Sequence, residues 1–331
     1  MLSYSGEPEL VKEFLDRIKG ADEDGEAHAI DFNSVIPMPP ELNISDSSDG
    51  DAAMKHILGA GTDGYDDFEW IKFKSFRTVE QIEQAIDNVK AAGFDSIHLE
   101  GRYLNCKRRG AHRADLLFPL DVNEFTALLD RMEGLNVHIS CAAELEGGEA
   151  FVKTAVSRGA TVSLGHTDAT YEEALDAISW GVNSFTHTFN AMRPIHHREP
   201  GPVVAALTTE GVYAEVIADG FHLNPAIVKL SYLAKRPAHL TLITDSMSAT
   251  RCADGEYAIA GEKVYVVDGK AINEEGNISG STITLYQAVR NLMKFAGVSF
   301  AEALAYATIV PATEVGIDSV TGSIDEGKSA D

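Results

Sequence analysis

From about Thr78 onward the sequence repeats one unit six times, an amphipathic stretch of helical period followed by a short apolar run. VEQIEQAIDNVKAAG precedes SIHLE, EFTALLDRMEGL precedes VHISC, and EAFVKTAVSRG precedes TVSLGH. YEEALDAISWG then precedes SFTH, PVVAALTTEG precedes YAEVIADG, and AIVKLSYLAKR precedes LTLITD. Parallel strands must be joined by long crossovers, usually helices, so this alternation predicts an α/β chain with a parallel sheet covered by helices. Nearly continuous apolar strands fit a sheet buried on both faces.

The strand ends choose between an open sheet and a barrel. Glu100, Glu144, His166, His187, Asp219 and Asp245 fall at or just past the C-terminal ends of successive strands. An open, doubly wound sheet gathers its ligand groups at one switch point behind an early glycine-rich loop. Reactive groups contributed by strand after strand instead predict a (β/α)8 TIM-type barrel with its site on the C-terminal face. Only six strands are evident, so two must come from residues 1–73 or be missing, leaving the barrel incomplete at its N-terminal strands. Residues 1–75 read as an atypical acidic α+β segment, with helices at Pro8 to Lys19 and Ala52 to Leu58, a Pro/Ser/Asp-rich loop and the strand-like FEWIKF. Residues 76–331 form the barrel. They include partial β-sandwich elements at about 255–280, where Asp268-Gly269 marks a hairpin, and at the C-terminus. STITLYQAVRNLMKFAG and FAEALAYATIVPATEVG are each expected to be one amphipathic helix.

Charge bounds the partners. With 27 Lys+Arg against 51 Asp+Glu the net charge is −24, which repels nucleic acid and anionic membrane surfaces. An anionic small molecule would need a local basic patch. Two clusters offer one: Lys107-Arg108-Arg109 with His112 and Arg113, and His196-His197-Arg198. Ordinary solvated surface is the competing reading of both. The 3 cysteines are too few and too scattered for a disulfide framework. No apolar run is long enough to span a bilayer, and the N-terminus lacks the order of a secretory signal, so a cytoplasmic protein is expected.

Glu100, His166 and His187 form the strongest constellation. Two imidazoles and a carboxylate at equivalent strand ends are the donor set of a catalytic divalent metal that keeps one position for water. A single histidine would more readily be a hydrogen-bonded structural residue; three groups in register favour the metal. Asp245 ends the last strand, either as a proton carrier beside such a metal or as the cap of a turn. His222 is placed to bond a substrate carbonyl or to cap a turn. Gly101, Gly165 and Gly280 suit close backbone approach to a ligand.

Together these segments resemble a known family. IHLEG (97–101), KRRGAH (107–112), SLGHTDATYEEA (163–174), THTFNAM (186–192), REPG (198–201), ADGFHL (218–223), ITDSM (243–247) and SGSTITL (279–285) occur in the order of the N-acetylglucosamine-6-phosphate deacetylases of the amidohydrolase superfamily. The resemblance covers residues 76–331 and implies hydrolytic removal of acetate from N-acetylglucosamine 6-phosphate, in amino-sugar catabolism or cell-wall recycling. It implies one divalent metal on Glu100, His166 and His187, with Zn²⁺ ahead of Fe²⁺, Co²⁺ or Mn²⁺. It makes Asp245 the catalytic base and later acid, and His222 the group polarising the amide carbonyl. His112, Asn190, Ala191 and Arg198 fall on the phosphate side, the arginine reaching in from a neighbouring subunit of a homodimer. Four departures stand out. Residues 1–73 hold no HxH-like first strand, Arg102 replaces a proline, Ala143 stands where the family has another residue, and GSIDEGKSAD ends before the closing strands. Two alternatives remain: a related amidohydrolase acting on another amide, or a non-catalytic or fused chain lacking its first strands.

Overall fold

The computed structural model describes residues 78–329, apart from 92, 260 and 261. The helices and strand expected before residue 75, and the two barrel strands sought there, lie outside the described residues.

Six strands follow one another in space as they do in sequence: β1 (Ser96–Glu100), β2 (Asn136–Cys141), β3 (Thr161–Leu164), β4 (Ser184–Phe185), β5 (Tyr213–Ile217) and β6 (Leu240–Ile243). Every neighbouring pair is parallel. The helices α1 (Val79–Ala91), α2 (Val122–Arg131), α3 (Gly148–Ser157), α4 (Tyr171–Trp180), α5 (Gly201–Thr208) and α6 (Pro225–Lys235) alternate with them. Sequential order with a helix in each crossover is the winding of a (β/α) barrel, not of a sheet that reverses at a switch point.

Helix ends are set locally. Asp121 caps α2 by accepting from the amides of Asn123 and Glu124. Thr170 and Glu173 close a reciprocal capping box on α4, and Asn224 with Pro225 starts α6.

The strands depart from the continuous apolar character expected of them. Ile97, Leu99, Val137, Ile139, Cys141, Val162, Leu164 and Phe185 join the buried apolar cluster shared with the helices. The alternate positions, His98, His138, Ser140, Thr161, Ser163 and Glu215, face the other way and bond to one another. His98 Nε2 lies 2.8 Å from Ser140 Oγ, and Ser140 Oγ lies 2.7 Å from Thr186 Oγ1. Thr186 Oγ1 is in turn 2.7 Å from Ser163 Oγ. The sheet therefore has an apolar outer face and a polar inner one, the period-2 alternation of a strand.

Beyond β6, β7 (Gly255–Ile259), β8 (Glu262–Val267) and β9 (Lys270–Asn273) make a separate antiparallel sheet. Asp268 and Gly269 turn it with φ values of 51° and 74°, the left-handed pair of a type I′ turn. Among the described residues no strand follows β9. α7 (Leu285–Ala296) begins behind a Thr284–Gln287 capping box. The next expected helix is two: α8 (Phe300–Ala305) and α9 (Ile309–Glu314). Thr308, at φ −131° and ψ −88°, breaks the run, and Pro311 sits in the first turn of α9, where no N–H is required. The break lets Tyr306 O accept from Leu242 N of β6 at 2.8 Å. Residues 324–329, described by themselves, are a turn in which Lys328 Nζ lies 3.6 Å from Asp325 Oδ2.

Candidate active site

Three of the sequence-selected residues converge. Glu100 is the last residue of β1, and His166 and His187 each stand two positions past the end of β3 and β4. Glu100 Oε1 is 3.0 Å from His166 Nε2 and 3.1 Å from His187 Nε2, and all three side chains are buried. Both histidines adopt left-handed backbone, φ 49° and 31°, as does Asp245 at 47° two positions past β6. Non-glycine residues pay strain there, and such strain gathers at functional sites.

The tautomer of His166 fits the set to a cation. Its Nδ1 lies 2.9 Å from the carbonyl oxygen of Arg108, which can only accept, so Nδ1 carries the proton. In the neutral ring Nε2 then presents a lone pair toward a carboxylate oxygen 3.0 Å away. Two lone pairs at that distance repel unless a cation lies between them. A backbone carbonyl behind one nitrogen and a metal ahead of the other is the usual second-sphere arrangement of a ligating histidine. Burial, the largest single influence, raises the Glu100 carboxyl; the charge of His187 and the imidazoles gathered around the carboxylate outweigh it and hold the group well below the ordinary range.

Glycine builds the floor of this site. A Cβ on Gly165 would stand 2.6 Å from Thr186 Cβ, so the close approach made there is to the neighbouring strand. Gly110, at φ +57°, packs against His166, where a Cβ would meet Cε1 at 3.1 Å.

His112 is buried beside the cluster itself, with Nε2 3.6 Å from Glu100 Oε1 and its ring edge-on to that of His166. Asn190 closes the turn after His187, its Nδ2 donating to His187 O at 3.0 Å. Ala191, at φ 49°, accepts from Thr167 N at 3.1 Å. His222 Nδ1 lies 2.6 Å from Asp219 Oδ2, both side chains being mostly buried. Asp219 Oδ1 also accepts from the amides of Phe221 and His222, so the carboxylate fixes both the loop and the ring. Asp245 O accepts from Ser281 N at 2.7 Å, tying the end of β6 to the SGST segment. Arg198 is exposed, with Nη1 2.6 Å from His197 Nε2.

The first basic cluster is largely paired. Asp168 Oδ1 takes Arg108 Nε at 2.8 Å, while Lys107 Nζ and Arg193 Nη2 stand 3.6 and 3.3 Å from its Oδ2. Arg109 contacts Glu275, and Arg113 contacts Asp115. Glu144, the other acidic strand-end residue, fastens loops: it accepts from Asn105 Nδ2, Thr167 Oγ1 and Asp168 N. Arg102, where the resemblance leads one to expect proline, makes two 2.5 Å bonds to Glu124, which also accepts from Tyr103.

Sequence reading passed over a second group. His138, Glu215 and Glu314 are buried and bring one ligand atom each within 4.8 Å of the others. A charged residue inside the apolar run YAEVI was the available signal for Glu215.

The model of the amidohydrolase family matches residues 125–331. An N-acetylgalactosamine-6-phosphate deacetylase of Escherichia coli O157:H7 is 35% identical over 237 residues, covering 70% of this chain and 62% of that protein. An N-acetylglucosamine-6-phosphate deacetylase of Bacillus subtilis is 35% identical over 235 residues, covering 71% and 59%. The chain thus spans less than two thirds of either relative. The crystal structure of N-acetylglucosamine-6-phosphate deacetylase from Pasteurella multocida superposes with a TM-score of 0.72 at 31% identity, over 76% of this chain and 67% of that one.

Proposed function

The chain belongs to the amidohydrolase family, and we propose that it hydrolyses the acetamido group of N-acetylglucosamine 6-phosphate, releasing acetate and leaving the amine of glucosamine 6-phosphate. The convergence of Glu100, His166 and His187, with the proton of His166 fixed on Nδ1, carries this reading. The family is metal-dependent; here one divalent ion, Zn²⁺ before Fe²⁺, Co²⁺ or Mn²⁺, would sit on those three side chains. Bound there, it supplies Lewis acidity and lowers the pKa of water.

The chain's own residues supply the rest. Asp245 takes the proton from the attacking water and returns it to the departing amine, the two duties of one general base and acid. His222, held by Asp219, faces the amide carbonyl and stabilises the charge developing on its oxygen. Arg198, with Asn190 and Ala191, holds the sugar phosphate, and Arg198 serves a neighbouring subunit of a homodimer, whereas His112, expected on the phosphate side, is buried against Glu100 and braces the triad. Its exposure and the occupation of Arg108 by Asp168 both favour Arg198 as the phosphate-binding arginine. A cytoplasmic role in amino-sugar breakdown or cell-wall recycling follows from that substrate.

The relatives include enzymes named for both the gluco and galacto sugars, so the test uses both. Acetate release from each 6-phosphate is measured with the metal-loaded chain and with Asp245→Asn. Turnover of the gluco substrate, lowered about a hundredfold or more in the variant with metal retained, is the expected result. A folded, metal-loaded chain releasing no acetate from either sugar phosphate would overturn the reading.

A further inference from the structure

We propose that His138, Glu215 and Glu314 form a second divalent-cation site, buried beneath the first and separate from the residues assigned to the reaction. The three come from β2, β5 and α9, and their ligand atoms lie within 4.8 Å of one another. All are more than nine-tenths buried, at 7%, 4% and 3% exposure.

The hydrogen bonding of the two carboxylates is incomplete in the way a missing cation would leave it. Glu314 Oε2 accepts from Thr241 Oγ1, while Glu314 Oε1, fully enclosed, is reached by no hydrogen-bond partner among the described residues. Apart from the Glu314 carboxyl that it faces, the partners of the Glu215 carboxylate are long: His138 Nε2 at 3.3 Å, Ser163 Oγ at 3.4 Å and His187 N at 3.4 Å. No lysine or arginine among the described residues pairs with either carboxylate. Two buried carboxylates without a counter-charge are costly, and a divalent ion removes that cost while using the unfilled lone pairs.

The imidazole is set up to ligate. His138 Nδ1 lies 2.7 Å from Thr161 Oγ1, which lies 3.4 Å from Val137 O. A relay in which Nδ1–H donates to Thr161 Oγ1, and that hydroxyl donates to the carbonyl, leaves the Nε2 lone pair directed at Glu215. One neutral imidazole and two carboxylates suit Zn²⁺, Mn²⁺ or Fe²⁺. The ion would tie α9 to the sheet. It would also brace the first site, since Glu215 O takes Thr188 N at 2.8 Å and its carboxylate faces His187 N.

The alternative neutralisation is a proton shared by the two carboxylates, and metal counting separates the two without any activity assay. The chain is stripped with chelator, reloaded with Zn²⁺, desalted and analysed for metal per chain. Two equivalents are expected in the wild type, one in His166→Ala/His187→Ala, one in Glu314→Gln and none in the combined variant. The double histidine variant should also melt higher with Zn²⁺ than without it, and lose that shift on adding Glu314→Gln. His138→Gln, which removes a ligand from another element, repeats the test should Glu314→Gln fold poorly. A folded double histidine variant that holds no zinc and shows no zinc-dependent melting overturns the proposal, as does equal zinc in wild type and a folded Glu314→Gln or His138→Gln. Neither result touches the deacetylase reading, which is scored by acetate release.

Discussion

His166 Nδ1 lies 2.9 Å from the carbonyl oxygen of Arg108, and that single contact decides which nitrogen the ring offers to Glu100. The Arg108 carbonyl belongs to the loop after β1, so the segment that follows Glu100 also supplies the group that orients His166. Replacing His166 by Ala should therefore abolish metal binding at this cluster and acetate release together. Elemental analysis beside the acetate assay checks it; undiminished zinc in a folded His166→Ala/Glu314→Gln chain would show that His166 is no ligand.

Arg102 marks a second loop fastening, one that a proline could not make. Its bidentate bond to Glu124, with Phe118 4.0 Å beneath the guanidinium, pins the segment after β1 to α2. The Arg102 bond, the largest influence, holds the Glu124 carboxyl below its ordinary value against the opposing effect of burial. A depressed carboxylate stabilises the fold above its unfolded-state pKa and loses that contribution as pH falls through the folded-state value. Glu124→Gln should cost about 1–3 kcal/mol near neutrality, and the gap from wild type should shrink below about pH 4. Melting temperatures of both proteins across pH 3–8 would measure it; a gap independent of pH would assign the loss to packing.

The convergence of Glu100, His166 and His187 was legible because strand ends can be read from periodicity, and chemistry at the C-terminal end of barrel strands is informative by position alone. Pairing at a distance was not. Arg108 and Asp168 are 60 residues apart, so the sequence displays a basic cluster where the fold places an ion pair. The polar inner face was hidden for another reason. Residues such as Ser140, Ser163 and Thr186 are small and scarcely interrupt an apolar run, and only their mutual hydrogen bonds give them away. Glu314 carried no signal at all, because its approach to the sheet follows the helix break at Thr308, which goes with the distant Tyr306–Leu242 bond that no local pattern displays.

The same pairing yields a prediction about phosphate. Arg198→Ala should raise KM for the 6-phosphate sugar about tenfold or more, and leave KM for the unphosphorylated sugar nearly unchanged, because only the former loses a charge-assisted contact. Arg108→Ala should instead lower the melting temperature, since its guanidinium is engaged with Asp168. Steady-state kinetics on both sugars decide this, and equal KM changes on the two would make Arg198 ordinary surface.

The Asp219–His222 pair offers the sharpest separation of orientation from binding. Asp219 Oδ2 sits 2.6 Å from His222 Nδ1 while Oδ1 holds two loop amides. Burial, the largest influence, raises the Asp219 carboxyl, but the bond to His222, its charge and the loop amides hold it below the ordinary value. An asparagine in that place can keep an oxygen toward one set of donors but carries no charge, so it loosens the ring without removing it. Asp219→Asn should then lower kcat by about a hundredfold, while metal content and KM for the sugar phosphate stay close to wild type. If KM rises while kcat holds, Asp219 shapes the binding loop alone. If neither changes, His222 needs no orienting partner, and the carbonyl-polarising role assigned to it loses its structural support.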